Sequence, residues 1–315
     1  MFHFRPPRAA CASCLGPILC AASICSHPLP GHAAEASSLI QDAPLATIDP
    51  FHELETKYIF GFTEGSDIGA EGEKAIDFET TAAFGMRGGS FTAIEQELEF
   101  EGVPTQFFGY ELSAHGLLQS IDNVDGLDNF HNFNFSGLSA ELRFLLIGRG
   151  PGSPIGLTFT VTPEWARVDG VSGALTNDFG TTFKLVADTE LISNRLYAAA
   201  NLIYEPDISR EFSETKWQQS SNLGMTAAMA YRIAPKVTLG GELQYYRAFD
   251  GFGMQSFLGN ALYIGPTLHI QFSGKVMLAA AFSTEITGHA FGERRSLDLT
   301  NFQRNLANLK FEIEF

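Results

Sequence analysis

The sequence predicts an all-β chain, a transmembrane antiparallel up-and-down β-barrel of about twelve strands. Three observations point there. Apolar and polar residues alternate with a two-residue period in one run after another from residue 74 to the end. Past the amino-terminal region no apolar run approaches the roughly eighteen residues a spanning helix needs, and mean hydropathy is only +0.03. Short connections alternate with long ones, as they do when a barrel keeps its turns on one side of a membrane and its loops on the other.

The amino terminus reads as an export signal. Arg5 and Arg8 form a positive start, residues 9–24 an apolar stretch, and small residues offer cleavage between 33 and 36, which makes residues 1–34 a signal peptide. All four cysteines (Cys11, Cys14, Cys20, Cys25) lie inside it, so the mature chain is expected to carry no disulfide or thiol chemistry. Cleavage after Ala34 removes two arginines and no acid, taking the formal charge from −16 to −18 (−16 − 2). Such acidity argues against nucleic acid as a partner. Residues 35–73, with Pro44 and Pro50, are expected to form an N-terminal periplasmic leader, in which 57–67 makes a short strand or tucks against the barrel mouth.

The barrel is expected over 74–315. Its first run places Ile76, Phe78, Ala82, Phe84 and Met86 on the lipid face; the second Thr92, Ile94, Leu98 and Phe100; the third Phe108, Tyr110, Leu112 and Ala114. The fourth contributes Leu138, Leu142, Phe144 and Leu146, the fifth Leu157, Phe159, Val161 and Trp165, the sixth Phe183, Leu185 and Leu191. Leu196, Leu202 and Tyr204 mark the seventh, Leu223, Met225, Met229 and Tyr231 the eighth, Val237, Leu239, Leu243 and Tyr245 the ninth. Leu262, Ile264, Leu268, Ile270 and Phe272 form the tenth, and Val276, Leu278, Phe282 and Ile286 the eleventh. The twelfth alternates Ala307, Leu309, Phe311, Ile313 and Phe315 with Asn308, Lys310, Glu312 and Glu314. Turns are expected at 148–153, 193–194, 234–236 and 273–275, and loops near 118–133, 167–180, 206–219, 248–259 and 288–303. Trp165, Tyr204, Tyr231, Tyr245 and Phe315 suit an interfacial aromatic girdle.

The final strand, closing on Phe315, resembles the C-terminal strand of bacterial outer-membrane β-barrels, which implies the barrel-assembly machinery as a partner and the outer membrane of a Gram-negative bacterium as the location. The stretch Phe60-Gly61-Phe62-Thr63-Glu64-Gly65-Ser66-Asp67-Ile68-Gly69, then Gly72-Glu73-Lys74 and an acidic first strand, resembles uncharacterised alphaproteobacterial barrels and the outer-membrane family annotated to the meta-pathway of phenol degradation. That resemblance implies a transport-type or unassigned barrel and supplies no catalytic residue.

Inward positions carry the chemistry. Asp77, Glu79, Glu97, Glu99, Glu312 and Glu314 should meet near the periplasmic end, with 97 or 99 opposite 79 or 77 and 314 opposite 77. One reading is a solvated mouth neutralised by Lys74, Lys310 and Arg143; the other is a cation-attracting vestibule. Higher up, Glu111, Glu141, Arg143, Glu164, Lys184, Asp188, Glu190, Arg232, Glu242, His269 and Glu285 mix both signs, as either a lined pore or a salt-bridge plug. The spacing of Asp122, Asp125, Asp128 and His131 does not match an EF-hand, and Gly148–Gly152 lacks the residues of a phosphate loop. No cofactor, metal or catalytic residue is expected. His269 and Ser283 point inward rather than pairing on the lipid face, so no enzyme is expected either. The leading expectation is a passive small-solute channel with modest cation preference. The competing one is a structural or ligand-binding barrel blocked by its own side chains or its leader, with outer loops offered to lipopolysaccharide or partners through Arg294 and Arg295; a third, less favoured reading is an outer-membrane hydrolase.

Overall fold

The computed structural model describes residues 54–150 and 152–315. The expected signal peptide and the leader up to residue 53 lie outside the described residues. A strand in lipid must satisfy every backbone amide and carbonyl through its neighbours, and closing the sheet on itself is the solution that leaves no edge. The chain adopts it. β1 (Lys74–Phe84), β2 (Gly88–Thr105), β3 (Phe108–Val124), β4 (Phe130–Ile147), β5 (Ile155–Val168) and β6 (Leu175–Ile192) follow one another antiparallel around the wall. β7 (Leu196–Glu211), β8 (Gln218–Ala234), β9 (Val237–Asp250), β10 (Ser256–Ser273), β11 (Val276–Ala290) and β12 (Asn305–Glu314) complete it. β12 pairs with β1, from Ala75 opposite Glu314 to Phe84 opposite Asn305, and the barrel is closed.

The faces follow the alternation. Phe78, Leu98, Leu138, Leu202, Met225, Leu243, Phe282 and Leu309 are exposed on the outside, while Asp77, Thr158, Thr160, Lys184, Glu242 and Gln244 are buried inside. Exposed large apolar side chains on nearly every strand form the belt a barrel presents to lipid. Met86 departs from its expected lipid position. It lies past the end of β1 and is buried in an interior apolar cluster.

Four of the five expected outer loops are much shorter than the sequence suggested, because strands continue through them. β3 runs to Val124 and β4 begins at Phe130, and β6 begins at Leu175. A membrane needs only about 9–11 residues per strand, whereas six of these have 17 or 18. Above the lipid the outer face meets water, so the apolar period fades although the ladder persists. The connection over residues 291–304 remains long.

The leader departs from the reading of residues 57–67 as a short strand or a segment at the mouth and follows the competing one, a barrel blocked by its leader. Its described part does not stay at the periplasmic mouth but enters the lumen, makes consecutive turns over residues 57–62, and returns to β1. Thr56, Lys57, Ile59, Phe60, Thr63 and Ser66 are all buried there.

Candidate functional site

The leader is held by inward side chains from strands around the barrel. Thr56 bonds to Asp188 of β6, and its amide donates to Asp67 Oδ2 at 2.7 Å, which closes the segment on itself. Lys57 Nζ bridges Glu101 of β2 and Glu111 of β3, 2.6 Å from each. Thr63 donates through its amide and hydroxyl to Glu242 of β9, at 3.1 and 3.2 Å. Glu64 takes Arg143 of β4 at 2.7 Å, pairs with Lys184 of β6, and exchanges bonds of 2.8 and 2.9 Å with Asn201 of β7. Ser66 donates to Asp188 at 2.7 Å, and Arg149 reaches both Asp188 (2.7 Å) and Asp67 (3.3 Å). On the far wall Gly61 sits so close that a Cβ would lie 2.7 Å from Thr267 Cγ2 and 2.8 Å from the Ala281 Cβ, and its φ of +89° is one few side chains tolerate. Only glycine lets the turn press against β10 and β11.

Arg143 shows why these contacts matter energetically. It is almost wholly buried, Nη1 bonds Glu64 and Glu141, and Nη2 donates to Gly65 O and Asp67 O. Burying such a cation is unfavourable unless it is paired with carboxylates, and removing one partner of a buried pair costs about 3–5 kcal/mol. The segment is therefore part of the barrel's interior.

Beside the leader lies a cavity of about 160 Å³. Tyr58, Phe62 and Glu64 of the leader face it, as do Glu79, Glu97, Glu99, Glu111, Glu141 and Glu164 of the wall, against Arg143, Lys184, Lys310 and His115. It has room for waters or a very small solute and falls short of the roughly 300 Å³ at which drug-sized sites begin. His115 Nε2 lies 2.9 Å from Ser139 Oγ, with Glu95 3.4 Å from its Nδ1 and Glu97 3.6 Å from Nε2. The order of groups is that of a hydrolytic triad. However, Ser139 sits in mid-strand between β3 and β5, where backbone amides serve the ladder rather than a developing oxyanion.

The outer half of the interior is apolar. Phe91, Ala93, Leu117, Ile121, Val168, Ile203, Tyr246, Tyr263, Leu306 and the loop residues Val171 and Phe302 form one buried cluster, and leader Phe62 packs against it. Tyr263 donates to Gln303 O at 2.5 Å and Gln119 to Asp169 O at 3.1 Å, which ties two loops inward. In the loop after β11, Asp298 accepts from the Asn301 amide at 3.0 Å, and burial pushes its carboxyl above the usual range.

The predicted inward residues fall into three groups. Asp77, Glu79, Glu97, Glu99, Lys310 and Glu312 do come together with Glu111 at the seam of β1, β2, β3 and β12, but the register differs by two residues from expectation. Glu312 faces Asp77, while Glu314 faces Ala75 and is only half-buried. The neutralising bases there are Lys310 and Lys57, whereas Lys74 is exposed. Arg143, Lys184, Asp188 and Glu242 hold the leader, Glu141 braces Arg143, and Glu164 lines the cavity. Glu190, Arg232 and Glu285 instead serve connections: Glu190 accepts from the Asn194 amide, Arg232 donates to Pro235 O, and Glu285 accepts from the Asp298 amide. His269 is buried inward, and Ser283 bonds Gln244 at 3.0 Å rather than the histidine. Asp122 and His131 form an exposed 3.0 Å pair. Lys57, Thr63, Glu64, Asp67 and Arg149 were missed as site residues. Their signal was present in a charged, glycine-punctuated stretch with no strand period.

Comparison with known proteins agrees with this architecture. The COG4313 outer membrane channel from Pseudomonas putida F1 has a similar structure, with a TM-score of 0.51 at 11% identity over 79% of this chain and 98% of that one. The NanC porin follows with a TM-score of 0.47 at 9% identity, covering 76% of this chain and 98% of its own. A KdgM porin in complex with disordered oligogalacturonate gives 0.44 at 11%, covering 76% and 99%. No curated protein matches in sequence. The apolar belt and the closed twelve-strand wall are those of an outer-membrane β-barrel with the porin-like fold, and with residues 52–315 matching its model the chain belongs to the Family of unknown function (DUF6662).

Proposed function

We propose that this protein is an outer-membrane small-solute channel whose resting form is closed by its own leader. The observation that carries this reading is the set of buried bonds from residues 56–67 to six or more strands, which fill the inner half of the lumen. An open general pore would be lined by water at those positions. The wall of the cavity beside the leader has six carboxylates against three Lys or Arg side chains, so once the leader moves, cations are favoured over anions, most strongly at low salt. The opening-strand likeness to barrels of the meta-pathway of phenol degradation supports a transport role of this kind. The reading involves no catalytic step. Its outward partners are lipid and lipopolysaccharide.

Single-channel recording in a planar bilayer under a salt gradient tests it. The mature chain is expected to be silent or to open rarely, and the same chain lacking residues 37–73 to conduct in bursts, when the loop residues Val171 and Phe302 part from the outer apolar cluster, with a cation-selective reversal potential. Steady conductance by the intact chain would overturn the closed resting form. Silence of both would favour a permanently plugged, ligand-binding barrel.

A further inference from the structure

At the seam where the barrel closes, three acids from three strands converge. Asp77 of β1 stands directly opposite Glu312 of β12, and Glu101 of β2 completes the group, with one carboxylate oxygen of each within 4.8 Å of the others. All three are buried. Like charges directly opposite on neighbouring strands destabilise a sheet unless something lies between them.

The nearby bases are already engaged. Lys310 Nζ sits between Glu79 (3.0 Å) and Glu99 (2.9 Å) and reaches Asp77 only at 3.8 Å. Lys57 is shared between Glu101 and Glu111. Asp77 has no exposed surface, neither of its oxygens has a hydrogen-bond partner, and one of them belongs to this group. Glu312, nine-tenths buried, makes no hydrogen bond or ion pair among the described residues. A buried carboxylate with both oxygens unmet points to a missing ligand.

We propose that Asp77, Glu101 and Glu312 bind one calcium ion. Calcium takes oxygen ligands at about 2.3–2.6 Å, so three oxygens that all lie within 4.8 Å of one another can share one ion. Magnesium demands near-ideal octahedral geometry and keeps several of its waters, which three carboxylates fixed on a rigid, buried wall do not readily supply. Calcium also tolerates irregular geometry and takes water in its remaining positions, which suits three carboxylates from a rigid wall. Glu314, Glu73 and Glu55 form a second, less buried acidic group nearer the mouth, which draws a cation inward. Bound there, the ion joins the first strand to the last and lies beside Glu101, which also holds leader Lys57. The site is independent of whether the barrel conducts.

The test is calcium titration of the purified, chelator-treated mature barrel in detergent by calorimetry, with terbium emission excited through nearby Tyr58 as a second readout. Folding of each variant is checked by heat-modifiable migration. One calcium per chain is expected, with affinity at least about tenfold weaker in Glu312→Gln and Asp77→Asn and unchanged in Glu214→Gln on an outer loop. Absence of saturable binding to the unaltered chain overturns the site. So does equal affinity in Glu312→Gln, which would place the calcium on carried-over lipid. Should Asp77→Asn fail to fold, Glu312→Gln decides alone.

Discussion

At the periplasmic end of the lumen, Arg143, Lys184, Asp188 and Glu242 hold the leader through ion pairs and hydrogen bonds of fixed direction. At the outer end, Phe91, Ile121, Tyr263 and Phe302 meet in a cluster held mainly by exclusion of water. The first closure is directional and competes with water for every bond, so it can be exchanged for solvation when the leader moves. The second is non-directional and stays closed unless apolar area is exposed. The inner half therefore has the chemistry of a removable plug, and the outer half that of a packed core.

The largest effect should come from removing the plug. A cysteine at Thr160, fully buried in the intact chain, should react with a water-soluble thiol reagent about a hundredfold faster once residues 37–73 are deleted. A cysteine at Phe91, at the apolar end, should change little. Equal acceleration at both would show that the apolar cluster depends on the leader and that the two closures are one.

Arg143 sets the next scale. Arg143→Ala should lower unfolding stability by about 3–5 kcal/mol, because Glu64 and Glu141 lose a shared buried cation. It should also release the leader to limited proteolysis. Arg143→Lys keeps the charge but loses the fork that serves two carboxylates and two carbonyls, and roughly 2 kcal/mol should still be lost. A lysine variant as stable as the parent would mean that charge alone, without direction, holds the plug.

The smallest effect belongs to the outer end. Phe302→Leu replaces one buried apolar side chain with another and should cost less than about 1.5 kcal/mol in denaturant unfolding, with leader proteolysis unchanged. A loss as large as that of Arg143→Ala would make the outer cluster as shape-specific as the polar end.

Much of this molecule was legible in one dimension. Alternation such as Phe78 against Asp77 or Phe159 against Thr160 set the strands and their faces, because adjacent residues face lipid and lumen in turn and each face recurs every second residue. The acidic seam was legible too, since hairpin pairing of β1 with β2 is local. The closing pair was placed two residues off, with Glu314 rather than Glu312 opposite Asp77, because more than two hundred residues separate the two strands and no turn sets their register.

The fate of the leader was decided only by the tertiary structure. Lys57, Thr63 and Glu64 have no periodicity, and their partners Glu111, Glu242 and Lys184 are spread over strands far along the chain. Whether such a segment rests outside the barrel or fills it depends on whether every buried charge finds a partner at once, which is a property of the assembled interior. The same holds for Ile121 and Phe302, which read as loop residues until closure of the wall brought them into a common core. The sequence by itself determined a barrel, its inside and its outside, because those follow from the solvent each residue meets. Only the folded wall decided that the inside is full.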